Sequence, residues 1–86
     1  QQDNLKPEAL AAIYTARGRA WLREEEAEEA VSDFTRALEL QPDSPALLQD
    51  RARAHTRLGA HRQAAADWSA IIGLAPAADT AYLRRA

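Results

Sequence analysis

Apolar and small residues recur at spacings of three and four along four stretches of the chain, a period that gathers them on one face of a helix each time. The first stretch runs from about Pro7 to Arg23, with Leu10, Ile13, Tyr14, Gly18 and Trp21 on its apolar face. The second, about Ala27 to Leu40, carries Ala27, Ala30, Val31, Phe34, Ala37 and Leu38. The third, about Pro45 to Leu58, carries Leu47, Leu48, Ala52, His55 and Leu58, and the fourth, about His61 to Leu74, carries Ala64, Ala65, Trp68, Ile71 and Ile72. Between them lie stop and start signals. Pro7 suits a first helical turn, where its missing N–H is not needed, and Glu8 favours the positive end of the dipole. Gln41-Pro42-Asp43-Ser44-Pro45 forbids continuation of the second helix and restarts the third with Ser44 as N-cap and Pro45 at the first position. Gly59 ends the third helix as a left-handed glycine does. Gly18, inside a helix, costs about 1 kcal/mol relative to Ala, so its expected reason is the close approach of a neighbouring helix.

The pattern repeats. Asp33-Phe34-Thr35-Arg36-Ala37-Leu38-Glu39-Leu40-Gln41-Pro42 returns as Asp67-Trp68-Ser69-Ala70-Ile71-Ile72-Gly73-Leu74-Ala75-Pro76, so that one fixed displacement carries Pro42 onto Pro76. The same displacement pairs Ala12 with Ala46, Arg17 with Arg51, Arg19 with Arg53, Arg23 with Arg57 and Ala30 with Ala64. A third copy opens near the end: Arg51-Ala52 recurs as Arg85-Ala86, and Tyr82 stands where Leu48 and Tyr14 stood. Asp79 or Thr80 is expected to cap this last helix. A fixed period of about 34 residues predicts a stack of one small helical unit rather than a closed globule.

A pair of helices with that period, a small residue four before an aromatic and a proline eight further on resembles the tetratricopeptide repeat. Ala30, Phe34 and Pro42 carry that half of the motif in the first copy, and Ala64, Trp68 and Pro76 in the second. The other half is altered: Tyr14, Arg17-Gly18 and Trp21 in one copy, Leu48, Arg51-Ala52 and His55 in the next. The family turns at a glycine between its two helices; Gly59 fits, whereas Glu25 occupies that place in the first copy, which leaves the form of the first turn open, an over-run of the helix included. The resemblance implies an all-α solenoid of antiparallel helix pairs, about 2.5 repeats. Its expected division is a frayed segment 1–6, then repeat 1 over about 11–44, repeat 2 over about 45–78 and a truncated or capping helix over 79–86. It also implies that the first helix of each repeat lines a groove and the second forms the back. Two and a fraction repeats are few for a continuous core, which leaves the last stub, a second copy or a neighbouring repeat of a longer parent to complete it.

Composition narrows the function more than the fold. The chain of 86 residues is 47% hydrophobic but only 6% aromatic, so alanine fills much of the interior and helices must approach closely. A net charge of −2 argues against a general nucleic-acid or anionic-membrane binder. No apolar run approaches the roughly 20 residues that span a bilayer. With no cysteine there is neither a disulfide framework nor a thiolate metal site. The absence of an initial Met and the stop inside a helical pattern suggest a processed chain or an excised piece, either cytoplasmic or, after loss of a signal peptide, periplasmic. Richness in Ala and Arg suggests a bacterial source.

Catalytic chemistry finds few candidates. Gly18, Gly59 and Gly73 lie too far apart for a phosphate loop. His55 falls where the family places a packed aromatic, and His61 opens a helix; the two lack a third His or a Cys to make a metal site. The acidic run Glu24-Glu25-Glu26-Ala27-Glu28-Glu29 reads as a turn and a first helical turn, where carboxylates favour the dipole. Asp33 and Asp67, which recur, belong with the unit's own hydrogen bonding. No enzyme, no cofactor and no metal are expected.

What remains is a binding surface of uneven charge. Residues 5–23 carry a balance of +3, residues 24–43 a balance of −7, and residues 44–62 again +3. In family terms Arg19 and Arg23, like Arg53 and Arg57, stand one turn apart on the inner helix and are expected to share the groove. Thr15, Gln49 and Arg84 complete the expected partner-binding set. One reading is that these arginines pair with acids of adjacent helices or solubilise the surface; the other is that guanidinium forks grip an acidic or C-terminal segment of a partner protein. Self-association, with the acidic run of a second copy in the groove, is the alternative partner. A subclass of the family grips a chaperone's C-terminal carboxylate with Lys, Asn and Arg, but the matching places here hold Thr15, Arg19, Asp50, Thr80 and Arg84, and Asp50 would repel a carboxylate. Arg17, Arg51 and Arg85, in place of a usual leucine, are expected between helices with their heads bonded to acids or carbonyls.

Overall fold

The computed structural model describes residues 5–74, which form four helices: α1 (Pro7–Arg23), α2 (Ala27–Leu40), α3 (Pro45–Arg57) and α4 (His61–Leu74). The expectations for Gln1–Asn4 and for the third copy, including Pro76, Asp79, Thr80, Tyr82, Arg84 and Arg85, lie outside the described residues. Helix α1 packs on α2, α3 packs on α4, and α2 packs on α3, the neighbour-to-neighbour order of a helical stack.

Each helix begins and ends for a local reason. Pro7 occupies the first turn of α1, and the Ser44 hydroxyl accepts from the Leu47 N–H at 3.3 Å, capping α3. Gly59 sits at φ 78° after α3, and its turn is closed by the Ala60 N–H donating to the His55 carbonyl at 2.8 Å. The α1–α2 turn, left open by the sequence, closes without an over-run. Helix α1 stops at Arg23, Glu25 takes φ 66°, and the Glu26 N–H donates to the Trp21 carbonyl at 2.8 Å, the same turn one repeat earlier. The closing hydrogen bonds are backbone groups, so the turn forms without glycine, at the expense of backbone strain.

The core is built around Phe34, which is fully buried among Ala11, Ala30, Ala37, Leu38, Leu47, Leu48 and Ala54, with Tyr14, Trp21 and Leu22 against its edge. Gly18 explains itself here: a Cβ at that position would lie 2.6 Å from the Phe34 ring. Five of the predicted apolar positions are instead exposed, Ala65 among them. Ile13 and Leu58 face outward, and Trp68 and Ile72 are 42% and 60% exposed although they repeat Phe34 and Leu38. What seals Phe34 and Leu38 is α3, through Leu47 and Leu48. Among the described residues no helix stands in the corresponding place beyond α4.

Candidate functional site

The last turns of α1 and α3 run side by side, and residues four apart on a helix share a face. Arg19 and Arg23 from α1 and Arg53 and Arg57 from α3 thereby line one cleft of about 270 Å³, together with Leu22 and Asp50. The four guanidinium groups are not equivalent. Arg19 is held by the buried Asp50, its Nε donating to Oδ2 at 2.9 Å and its Nη2 lying 2.8 Å from the same oxygen. Arg57 Nη1 donates to the Leu22 carbonyl at 3.4 Å, near the C-terminal end of α1 where a cation is favoured. Among the described residues Arg23 and Arg53 form no ion pair. Mutual repulsion of the four arginines is therefore relieved in part within the chain: only Arg19 meets a counter-charge among the described residues, and Arg23 and Arg53 meet neither an acid nor a carbonyl.

The other predicted residues stand elsewhere. Thr15 turns its hydroxyl back to the Ala11 carbonyl at 2.8 Å and borders a neighbouring cleft that shares Arg19 and is otherwise lined by residues such as Glu8, Gln41 and Ser44. Gln49 is exposed on α3, away from the arginine cleft, and Arg84 lies outside the described residues. For Arg19 the structure bears out the reading that these arginines pair with acids of adjacent helices, but the sequence did not name Asp50 as the partner and treated it as an obstacle to a carboxylate. A signal was present: unlike Asp33 and Asp67, Asp50 does not recur, since Ala16 and Arg84 stand at its displacements. A residue that does not repeat within the unit is free to serve the contact between units.

Two ion pairs that do repeat hold each unit together. Arg17 Nε and Nη2 donate to Asp33 Oδ2 and Oδ1 at 2.8 and 2.9 Å, and Arg51 Nε and Nη2 donate to Asp67 Oδ2 and Oδ1 at 2.9 and 2.7 Å. Hydrogen bonds to these carboxylates raise the pKa of both arginines. Arg51 also donates from Nη1 to the Thr35 hydroxyl at 3.2 Å, so it ties the second unit to the first. These arginines lie between helices bonded to acids, as expected of them. His55 takes the place of Trp21, mostly buried, with Nε2 3.9 Å from Asp67 Oδ2. Burial lowers its pKa, and Arg51 acts in the same direction against the pull of Asp67. Among the described residues there is no cluster of three His, Cys, Asp or Glu that could hold a metal ion, and no helix long and apolar enough to cross a membrane.

Comparison with known proteins places the sequence among repeat proteins. A family model described as tetratricopeptide repeat matches residues 11–44. The chain is 35% identical over 77 residues to "Protein SGT1 homolog" of Oryza sativa subsp. japonica, a match covering 90% of this chain and 21% of that protein. It is also 35% identical over 66 residues to "Sperm-associated antigen 1A" of Danio rerio, covering 77% of this chain and 16% of that protein. The chain thus spans about a fifth of the length of the curated relatives it matches, or less. These relatives come from a plant and a fish and lend no support to a bacterial source.

Proposed function

Because the chain belongs to the tetratricopeptide repeat family, whose repeats are non-catalytic modules mediating protein–protein interaction, we propose that it binds an acidic segment of a partner protein in the cleft between α1 and α3. The observation that carries this reading is the composition of that cleft: four guanidinium groups converge on it and a single carboxylate, Asp50, answers them. Arg23 and Arg53, on opposite walls, are the primary contacts, because Arg19 already holds Asp50 and Arg57 already holds a carbonyl. Guanidinium forks favour carboxylates geometrically as well as electrostatically, through paired N–H donors. Asp50 sets the specificity: it turns away a carboxylate brought close to Arg19 and leaves the far side of the cleft for the partner's acids.

The test uses a fluorescently labelled oligoglutamate peptide as probe. Binding weakens with added salt, because exposed charge pairs are screened, and the double variant Arg23→Gln/Arg53→Gln weakens it by about tenfold or more. The folding midpoint of the variant stays close to that of the parent, since exposed charges contribute little to stability. Equal binding by the variant and the parent rejects the cleft as the site. A doubling of molar mass in light scattering, lost in the same variant, replaces the peptide by the acidic run Glu24–Glu29 of a second copy.

A further inference from the structure

We propose that the group recognised in the arginine cleft is a phosphorylated serine or threonine within the partner's acidic segment. This rests on the reading of the cleft as the partner site and adds the chemistry of what it grips. The cleft holds four guanidinium groups and one carboxylate, and that carboxylate is spent on one of them: Arg19 directs both Nε and Nη2 to Asp50 Oδ2. Arg23, Arg53 and Arg57 meet no counter-charge among the described residues. Arg57 makes a single hydrogen bond, to the Leu22 carbonyl, and its 3.4 Å is longer than the usual range of about 2.7–3.2 Å. Its fork is therefore weakly held and free to turn toward a stronger acceptor.

Three uncompensated positive charges around one small space decide what neutralises them. A partner's glutamate brings one negative charge and leaves two of the three unanswered. Two glutamates bring two, but their carboxylates then stand side by side in a space of about 270 Å³ that Asp50 also borders, and like charges at that range repel. A phosphate monoester places a charge of about −1.5 to −2 on a single group and offers three strong acceptor oxygens. The donors suit it in kind and in placement. All four cations of the cleft are arginines, whose planar forks bind phosphate oxygens in pairs. Arg53 and Arg57 stand one turn apart on α3, and Arg23 lines the opposite wall on α1. Forks from two walls thus surround a tetrahedral group, whereas a planar carboxylate engages one fork at a time. Asp50 sharpens the choice, because it opposes a row of negative charge extending toward Arg19 and so favours one concentrated anion.

The probes are three fluorescent peptides of one sequence, rich in alanine and glutamate, with serine, glutamate or phosphoserine at the central position. Each is titrated into the full chain and followed by fluorescence anisotropy. The phosphoserine peptide binds about tenfold or more tighter than the glutamate peptide, and the glutamate peptide binds tighter than the serine peptide. Arg53→Lys, at an exposed position, keeps the charge and loses the fork; it removes most of the preference for phosphoserine over glutamate and leaves the folding midpoint unchanged. Equal binding of the phosphoserine and glutamate peptides overturns the inference while the acidic-segment reading stands, whereas binding of none of the three rejects both. A preference for phosphoserine that survives in Arg23→Gln/Arg53→Gln places the phosphate elsewhere and overturns the inference too. Inorganic phosphate that displaces the labelled peptide at the same concentration as unlabelled phosphoserine peptide overturns it in favour of a free anion.

Discussion

At Glu25 a side chain stands where the backbone calls for none. A φ of 66° brings Cβ toward the following carbonyl oxygen, at a cost of roughly 1–2 kcal/mol for an L-residue, and Gly59 makes the equivalent turn at φ 78° without that cost. Glu25→Gly is therefore expected to stabilise the chain by about 1 kcal/mol, read as a higher urea midpoint at unchanged slope. Gly18 presents the opposite balance. Replacing it by Ala gains about 1 kcal/mol of helix propensity, but the new methyl meets the Phe34 ring at 2.6 Å, and Phe34 is enclosed on every side. Overpacking of about 1–3 kcal/mol outweighs the gain, so Gly18→Ala is expected to lower the thermal midpoint. A raised midpoint would mean that the ring can move aside.

Within each helix pair, the bidentate arginine–aspartate clamp fixes how the two helices face each other. Asp33 and Asp67 are almost wholly buried, and a buried carboxylate is tolerated only with its hydrogen bonds made. Such a pair adds less to net stability than its geometry suggests, yet removing one partner strands the other. In the second unit the clamp has a titratable neighbour, His55. Its folded pKa lies below the ordinary value, so the unfolded chain takes up the proton first as the pH falls. Stability attributable to His55 is thus present above the unfolded pKa of about 6.5 and declines as the pH drops through it. Urea unfolding measured between about pH 7.5 and pH 5.5 is expected to show a falling stability that His55→Gln flattens. An unchanged slope in that variant would assign the pH dependence to other groups.

Over the whole molecule, the core belongs to the first unit and its junction with the second. Phe34 is sealed by helices on both sides, whereas Trp68, at the same place in the repeat, is 42% exposed. Phe34→Ala is expected to cost about 3–5 kcal/mol, enough to unfold a chain this small. Trp68→Ala is expected to cost only about 1–2 kcal/mol, since less of its surface leaves water on folding. The repeat register alone would give both aromatics the larger value, and thermal melts of the two variants decide between these accounts. The basic α1 and α3 and the acidic α2 segment divide the charge of the stack.

The repeat period, the helix faces, the cap at Ser44 and the turn at Gly59 were legible in the sequence, because each depends on residues near one another along the chain or on a simple recurrence. So was the gathering of Arg19, Arg23, Arg53 and Arg57, since a repeat places equivalent residues side by side. The tertiary structure alone decided what lies across each face. It buried Phe34 and left Trp68 open, turned Ile13 and Leu58 outward, gave Asp50 to Arg19, and imposed a glycine-like turn on Glu25. Periodicity is the same in every unit, whereas burial and ion pairing depend on which side chains a neighbouring helix brings against each face.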